Sequence, residues 1–239
     1  MAIDFESAVT EQYVDFGTGL AVRNLANKTI CAWINIESYT GLAYNSIFEA
    51  GRTGGAHDEF YGFSIHTGNY LSFAAYWNSA SSYWDSAAGL STGAWTHVCV
   101  TYSNSLTTND PIFYINGAVS ATTEIATPAG AYETGTGGTV QISSSLITKK
   151  FDGLISDVRV YNRILSAAEI LEMYNRRSMN DNINGLVFNP VMYGCAAAQS
   201  FDGATLAAAN KIVDPYSGAL GTPSGSPVGV GETYLTVCP

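Results

Sequence analysis

Chemistry in this chain would have to come from aromatic rings set beside polar side chains, from cysteines, from histidines or from clustered carboxylates. The rings make the clearest pattern, since Tyr76-Trp77-Asn78-Ser79 is echoed by Tyr83-Trp84-Asp85-Ser86. On the two strands of a hairpin these rings would pair across the strands and hold them together, each pair contributing roughly 0.2–1 kcal/mol. In the functional reading, Tyr76, Trp77, Tyr83 and Trp84 form a platform on which a sugar ring stacks, and Asn78 and Asp85 orient its hydroxyls. Of the four cysteines, Cys31 and Cys99 each fall mid-strand in a segment apolar on both faces, which suits two buried thiols. His57 and His66 fall in loops and His97 in a strand beside Trp95. None comes at a metal-binding or nucleophile-activating spacing.

The elements that must position these residues read mostly as strands. Thr29 to Ile36 and Trp95 to Tyr102 are apolar on both faces, the pattern of strands covered on either side. Val14 to Phe16 and Leu20 to Val22 read as a first short strand pair, and Ser46 to Ala50, Tyr61 to Ile65, Leu71 to Trp77 and Tyr83 to Ser86 as further strands. Gly51 to Glu59 is a polar, glycine-rich loop, and Ala126 to Gly138 a low-complexity surface loop. Asn116-Gly117 between alternating runs predicts a type I′ hairpin, whose turn needs positive φ at both positions. Thr139 to Ser143 is one more strand. In Leu154 to Tyr161 the side chains alternate with period two, and the sequence Ser166-Ala167-Ala168-Glu169 that follows is a capping box opening a helix over 167–175. After Arg177 short apolar islands replace sustained periodicity.

The run from Phe151 to Tyr174 (FDGLISDVRVYNRILSAAEILEMY) resembles the C-terminal signature of laminin-G-like jelly rolls, of the concanavalin A-like fold that also includes the pentraxins. The resemblance continues upstream through TICAWINI at 29–36, Ser46-Ile47-Phe48, WTHVCVTY at 95–102 and FYINGAV at 113–119. It implies an all-β fold: an antiparallel β-sandwich of jelly-roll type over residues 1–178, with one short helix. Residues 179–239 are then a C-terminal extension packing on the sandwich or on a neighbouring subunit, loosely like a segment that accompanies such domains in bacteriophage proteins.

The pentraxins carry a linked cysteine pair on the strands matching those of Cys31 and Cys99, so the resemblance implies that these two lie side by side, bonded or as adjacent thiols. Elimination leaves Cys195 with Cys238 as a possible second pair. The same resemblance places Asp58 and Glu59 where pentraxins hold the first of their calcium ligands. The second ligand loop, between Gln141 and Phe151, has two lysines and no carboxylate, which favours a solvated loop; calcium is thus possible and no cofactor is required. Glucanases of this fold carry Glu-x-Asp-x-x-Glu or Glu-x-Asp-x-Glu on one strand. That spacing is absent, and Asp4 and Glu6, on one strand face with no third carboxylate after them, read as a solvated N-terminus.

Ten basic residues against twenty acidic ones give a net charge of −10, which opposes binding to nucleic acid or to an anionic bilayer. No apolar run is long enough to span a membrane. An acidic start without a basic-then-apolar leader, on a fold that usually works outside cells, suits a protein released by lysis. The expectation is therefore a non-catalytic virion surface protein, a capsid decoration or fibre-type component of a bacteriophage. Its expected partners are other virion proteins, copies of itself in a homo-oligomer, and cell-surface or environmental glycans. The alternatives are a secreted carbohydrate-binding module and, disfavoured by the missing carboxylate set, a glycoside hydrolase.

Overall fold

The computed structural model of the chain describes residues 2–6, 12–18, 21–39, 41, 43–52, 61–133, 138–144, 148–176, 184–190, 204–205, 212–213, 220–224 and 228–230. The first half begins with β1 (Ala2–Phe5), β2 (Tyr13–Asp15), a 3-10 turn (Ala21–Asn24), β3 (Asn27–Ile36) and β4 (Tyr44–Arg52). There follow β5 (Tyr61–His66), β6 (Tyr70–Ala75), β7 (Ser82–Gly89), β8 (Trp95–Ser103), β9 (Ile112–Ile115), β10 (Ala118–Ser120) and β11 (Thr122–Ala126). Then come β12 (Thr139–Ser143), β13 (Gly153–Tyr161), α1 (Ala167–Arg176) and β14 (Leu186–Phe188). Four short strands close the chain: β15 (Ala204–Thr205), β16 (Ile212–Val213), β17 (Leu220–Ser224) and β18 (Val228–Val230). Among the described residues no helix is long and apolar enough to cross a membrane.

The strands form two antiparallel sheets. One runs β10-β9-β8-β3-β13-β1-β18-β15, with β14 also on β13, and the other runs β11-β7-β6-β5-β4-β12-β2-β17-β16. Period-two alternation turns Ile30, Ala32 and Ile34 of β3 inward against Phe63 and Ile65 of β5 and Phe73 of β6, and these form one buried apolar cluster between the sheets. The all-β sandwich with one short helix is the expected fold. The both-faces-apolar reading of β3 and β8 also has its cause: their second faces carry Cys31 and Cys99, which α1 covers with Ile170 and Met173.

Local chemistry explains the connections. Asn116 (φ 51°) and Gly117 (φ 78°) are both left-handed, as a type I′ turn requires. A Cβ at Gly117 would come within 2.9 Å of Leu171 Cδ1, so glycine there also lets α1 sit on the turn. Gly153 (φ 125°) admits the backbone of β3, since a Cβ would lie 2.2 Å from the Asn35 carbonyl oxygen. At the helix start the Ser166 N–H donates to Glu169 Oε2 at 2.8 Å, and the Glu169 N–H donates to Ser166 Oγ at 3.3 Å.

Three local readings are corrected. The segment expected to pair as a strand over Leu20 to Val22 forms the 3-10 turn at Ala21–Asn24. The tetrapeptide echo is not a pair of facing strands: β7 lies against β6 with Phe73 opposite Trp84 and Ala74 opposite Tyr83, while Trp77 bridges to Tyr132. The stretch after Ala126 does more than loop over the surface, because Tyr132 packs against the main core. In the C-terminal part, β18 adds to β1 and β17 adds to β2, one on each sheet, and Phe188 of β14 is fully buried in the core.

Candidate functional site

Alternation along β5, β6 and β7 sends Phe63, Ile65, Phe73 and Trp84 into the core and leaves their neighbours on the outer face of the second sheet. Register then aligns those neighbours across strands: Glu49, Gly62, Ala74 and Tyr83 form one row, and Ser46, Ser64, Ser72 and Asp85 the next. Gly62 and Ala74 are small, so the face is recessed there, with Tyr44, Tyr76 and Tyr83 around it and Glu49 and Lys149 at its polar side. The recess has a volume of about 190 Å³.

Its walls are braced. The Tyr44 ring stacks on His66 (centroids 5.0 Å, 23° between planes) and lies nearly parallel to Tyr83 at 6.3 Å. His66 Nδ1 is 2.9 Å from Asp85 Oδ2, which fixes the imidazole behind Tyr44. Tyr76 meets Tyr83 edge-on at 6.3 Å. The Glu49 carboxylate, 1% exposed, accepts from Ser144 Oγ at 3.0 Å and sits 3.8 Å from Lys149 Nζ. Ser46, also 1% exposed, lines the recess with a buried hydroxyl that finds no hydrogen-bond partner among the described residues. Chemically, this is a set of ring faces and hydrogen-bonding groups with a single carboxylate among its described lining residues. It is equipped to bind and orient a small polar molecule.

Of the residues expected to form a stacking platform, only Tyr76 and Tyr83 line this recess. The rest of the platform is corrected: Trp84 is fully buried against Phe73 and Tyr102, and Trp77 packs edge-on against Tyr132, so neither indole offers a face to a ligand. Alternation forces this, because Trp84 must point opposite to Tyr83. Asn78 accepts from the Ala131 N–H at 2.9 Å and so ties the hairpin to the loop, and Asp85 serves His66. Tyr44, Ser46, Glu49 and Lys149 were missed. Strand parity could not have found them: Ser46 and Glu49 are three residues apart and share the outer face only because a bulge between Ser46 and Phe48 shifts the register, and Lys149 comes from a remote segment.

Cys31 and Cys99 face each other in register on β3 and β8, joined as a disulfide with Cα atoms 4.1 Å apart. His97 lies beside the pair, but bonded sulfurs do not serve a metal as thiolates. Burial, and secondarily the Arg159 charge, push the His97 imidazole down to about 4. Asp58, Glu59, Cys195 and Cys238 lie outside the described residues. Among the described residues the carboxylates that do gather are Asp4, Glu6 and Glu37, with ligand oxygens within 4.8 Å of one another. Burial first, then the charges of Glu6 and Asp152, raise the Asp4 carboxyl, and the same causes with Asp4 added raise Glu37. An all-oxygen set of this kind matches the ligand preference of a hard cation such as calcium.

The profile of the Concanavalin A-like lectin/glucanases superfamily matches residues 9–171. The chain belongs to this superfamily. No curated protein sequence matches the chain. Among solved structures, this superfamily member is similar to a protein from Bacteroides ovatus provisionally described as carbohydrate binding (TM-score 0.62, 19% identity, covering 96% of this chain and 61% of that one). The chain thus spans 61% of the length of the Bacteroides ovatus protein. It is also similar to the heptameric SAP-like pentraxin of Limulus polyphemus (0.56, 17% identity, 77% and 87% covered). A third is the CBM40 of a Ruminococcus gnavus IT-sialidase, solved with α2,3-sialyllactose (0.53, 14% identity, 73% and 98% covered). At these identities the likeness is one of fold.

Proposed function

We propose that this protein is a non-catalytic, lectin-like glycan-binding module whose ligand occupies the recess on the outer face of the second sheet. The observation that carries the proposal is the recess itself, where tyrosine rings surround a floor made by Gly62 and Ala74, beside the Ser46 hydroxyl, which has no hydrogen-bond partner among the described residues. Ring faces pack on the C–H side of a pyranose, while hydroxyl and carboxylate groups take up its O–H side. The carbohydrate-binding descriptions of the Bacteroides ovatus protein and the Ruminococcus gnavus module support the same reading. Binding without cleavage is in keeping with the lining, because glycoside hydrolysis ordinarily needs two carboxyl groups flanking the bond and Glu49 is the one carboxylate among the described lining residues.

The test is a glycan array followed by calorimetry with the wild-type protein and Tyr83→Ala. Binding that the substitution removes, with an unchanged melting temperature, supports the recess; glycan binding unaffected by Tyr83→Ala, or turnover of a polysaccharide, would sink it. The setting we infer is an exterior surface such as that of a virus particle, in keeping with the net charge of −10. Purification of the protein with particles, rather than free in the medium, is the observation that decides between the virion and the secreted alternative.

A further inference from the structure

We propose that the recess selects sugars by charge and size, its ligand being a single neutral pyranose rather than an anionic sugar or an extended chain. This inference rests on the reading of the recess as a glycan site. Three features of the lining argue for it.

The first is the charge balance. The one cation among the described lining residues is Lys149, and its Nζ lies 3.8 Å from Glu49 Oε1, so its charge is already answered. A sugar carboxylate entering here would have to compete with the Glu49 carboxylate for that one cation, bringing two like charges to the same ammonium. A neutral sugar meets no such penalty: Glu49 is an acceptor for sugar hydroxyls, and hydrogen bonds to a charged group are the stronger kind.

The second is the orphan hydroxyl. Ser46 Oγ is buried in the floor and unpaired among the described residues, while its backbone N–H donates to the Lys149 carbonyl at 2.9 Å, which fixes where the side chain stands. A hydroxyl can both donate and accept, and so can a sugar O–H, so the pair satisfies itself in either direction. The third is volume. A recess of about 190 Å³ is smaller than the roughly 300–1,000 Å³ of sites for drug-sized ligands, and it accommodates one ring with the rest of a glycan outside.

The experiment uses saturation-transfer NMR and calorimetry on the full chain with the methyl glycosides of glucose, galactose, mannose and N-acetylglucosamine, and with the methyl glycoside of sialic acid. The expected result is that at least one neutral glycoside binds, that the sialoside does not, and that affinity for a neutral trisaccharide ending in the same ring stays within about threefold of the monosaccharide. Glu49→Gln should weaken that binding about tenfold. If Glu49→Gln fails to fold, Ala74→Leu, which fills the recess from an outward position without touching the Glu49 contacts, should abolish binding on its own. Tighter binding of the sialoside, or affinity that climbs steeply with chain length, overturns the neutral single-ring inference while leaving the recess as the site, provided Ala74→Leu still abolishes it. No binding by any probe, or binding indifferent to Ala74→Leu, overturns the recess reading itself.

Discussion

Lys28 Nζ lies 4.8 Å from the centroid of the Tyr132 ring, deep between the two sheets. The rings of Tyr61 and Tyr102 are each 5.1 Å away on other sides, and the ammonium has no hydrogen-bond partner among the described residues. Ring faces attract the cation. Desolvation outweighs them and pushes the lysine down to about 7. Because the folded chain holds this proton less tightly than an unfolded lysine does, the unfolded state binds more protons between about pH 7 and 10. Stability should therefore rise with pH across that window, by up to about 1.4 kcal/mol per unit. Above it the buried hydroxyl of Tyr102, pushed up to about 12, contributes the opposite slope. Denaturant unfolding from pH 7 to 9.5 checks this, and Lys28→Met should flatten the curve and raise stability at pH 7. Equal slopes in the two proteins would show that Lys28 is not the group responsible.

Phe188, beyond the helix, is fully buried with its ring 4.9 Å from Phe16 and 5.6 Å from Phe48. Phe188→Ala should cost about 3–5 kcal/mol through lost burial and the cavity left behind. A chain ending at Arg177 should lose at least as much. A melting temperature unchanged by either would mean that this part of the chain is dispensable to the sandwich.

The Cys31–Cys99 bond joins neighbouring strands at a sequence separation of 68. Replacing both cysteines by alanine should lower the unfolding free energy by about 2–4 kcal/mol, chiefly by freeing the unfolded chain. Thiol titration of the denatured protein with and without reductant establishes whether the bond is present at the outset.

At the helix start, Ser166→Ala removes one acceptor and should cost about 0.5–1 kcal/mol. The low end is expected because Glu169 is also gripped by Arg163, whose two terminal nitrogens donate at 2.6 and 3.2 Å. Combining it with Arg163→Ala should cost more than the sum of the separate changes, which a double-mutant cycle measures.

Glu37 shares its corner with Asp4, Glu6 and Asp152, and is exposed enough that solvent screens much of the repulsion. Glu37→Gln should raise stability at pH 7 by no more than about 0.5 kcal/mol, with the gain fading as pH falls and the carboxyls protonate. Thermal melts at low and high salt test the assignment, since a charge effect shrinks with added salt. A gain insensitive to salt would point to packing instead.

What the chain alone determined is what near neighbours determine. Runs apolar on both faces marked β3 and β8, period-two alternation marked β13, the Ser166 and Glu169 spacing marked the helix, and Asn116-Gly117 marked its hairpin, because each depends on side-chain pattern, dihedral preferences and hydrogen bonds within a few residues. Alternation also required Tyr83 and Trp84 to face opposite ways. It could not say which of them faced the core, since that is set by the register of β7 on β6 and by which face of the sheet meets its partner. The same holds for Lys28, whose residue type predicts solvent and whose strand parity turns it inward among three rings. The recess is a tertiary product throughout: Glu49, Gly62, Ala74 and Tyr83 become neighbours only when β4 to β7 pair in register, and Lys149 reaches them from a segment that follows β12. Contacts between residues far apart in sequence carry no local signature, so only the packing of strand on strand could bring a carboxylate, the Ser46 hydroxyl and the tyrosine rings to one place.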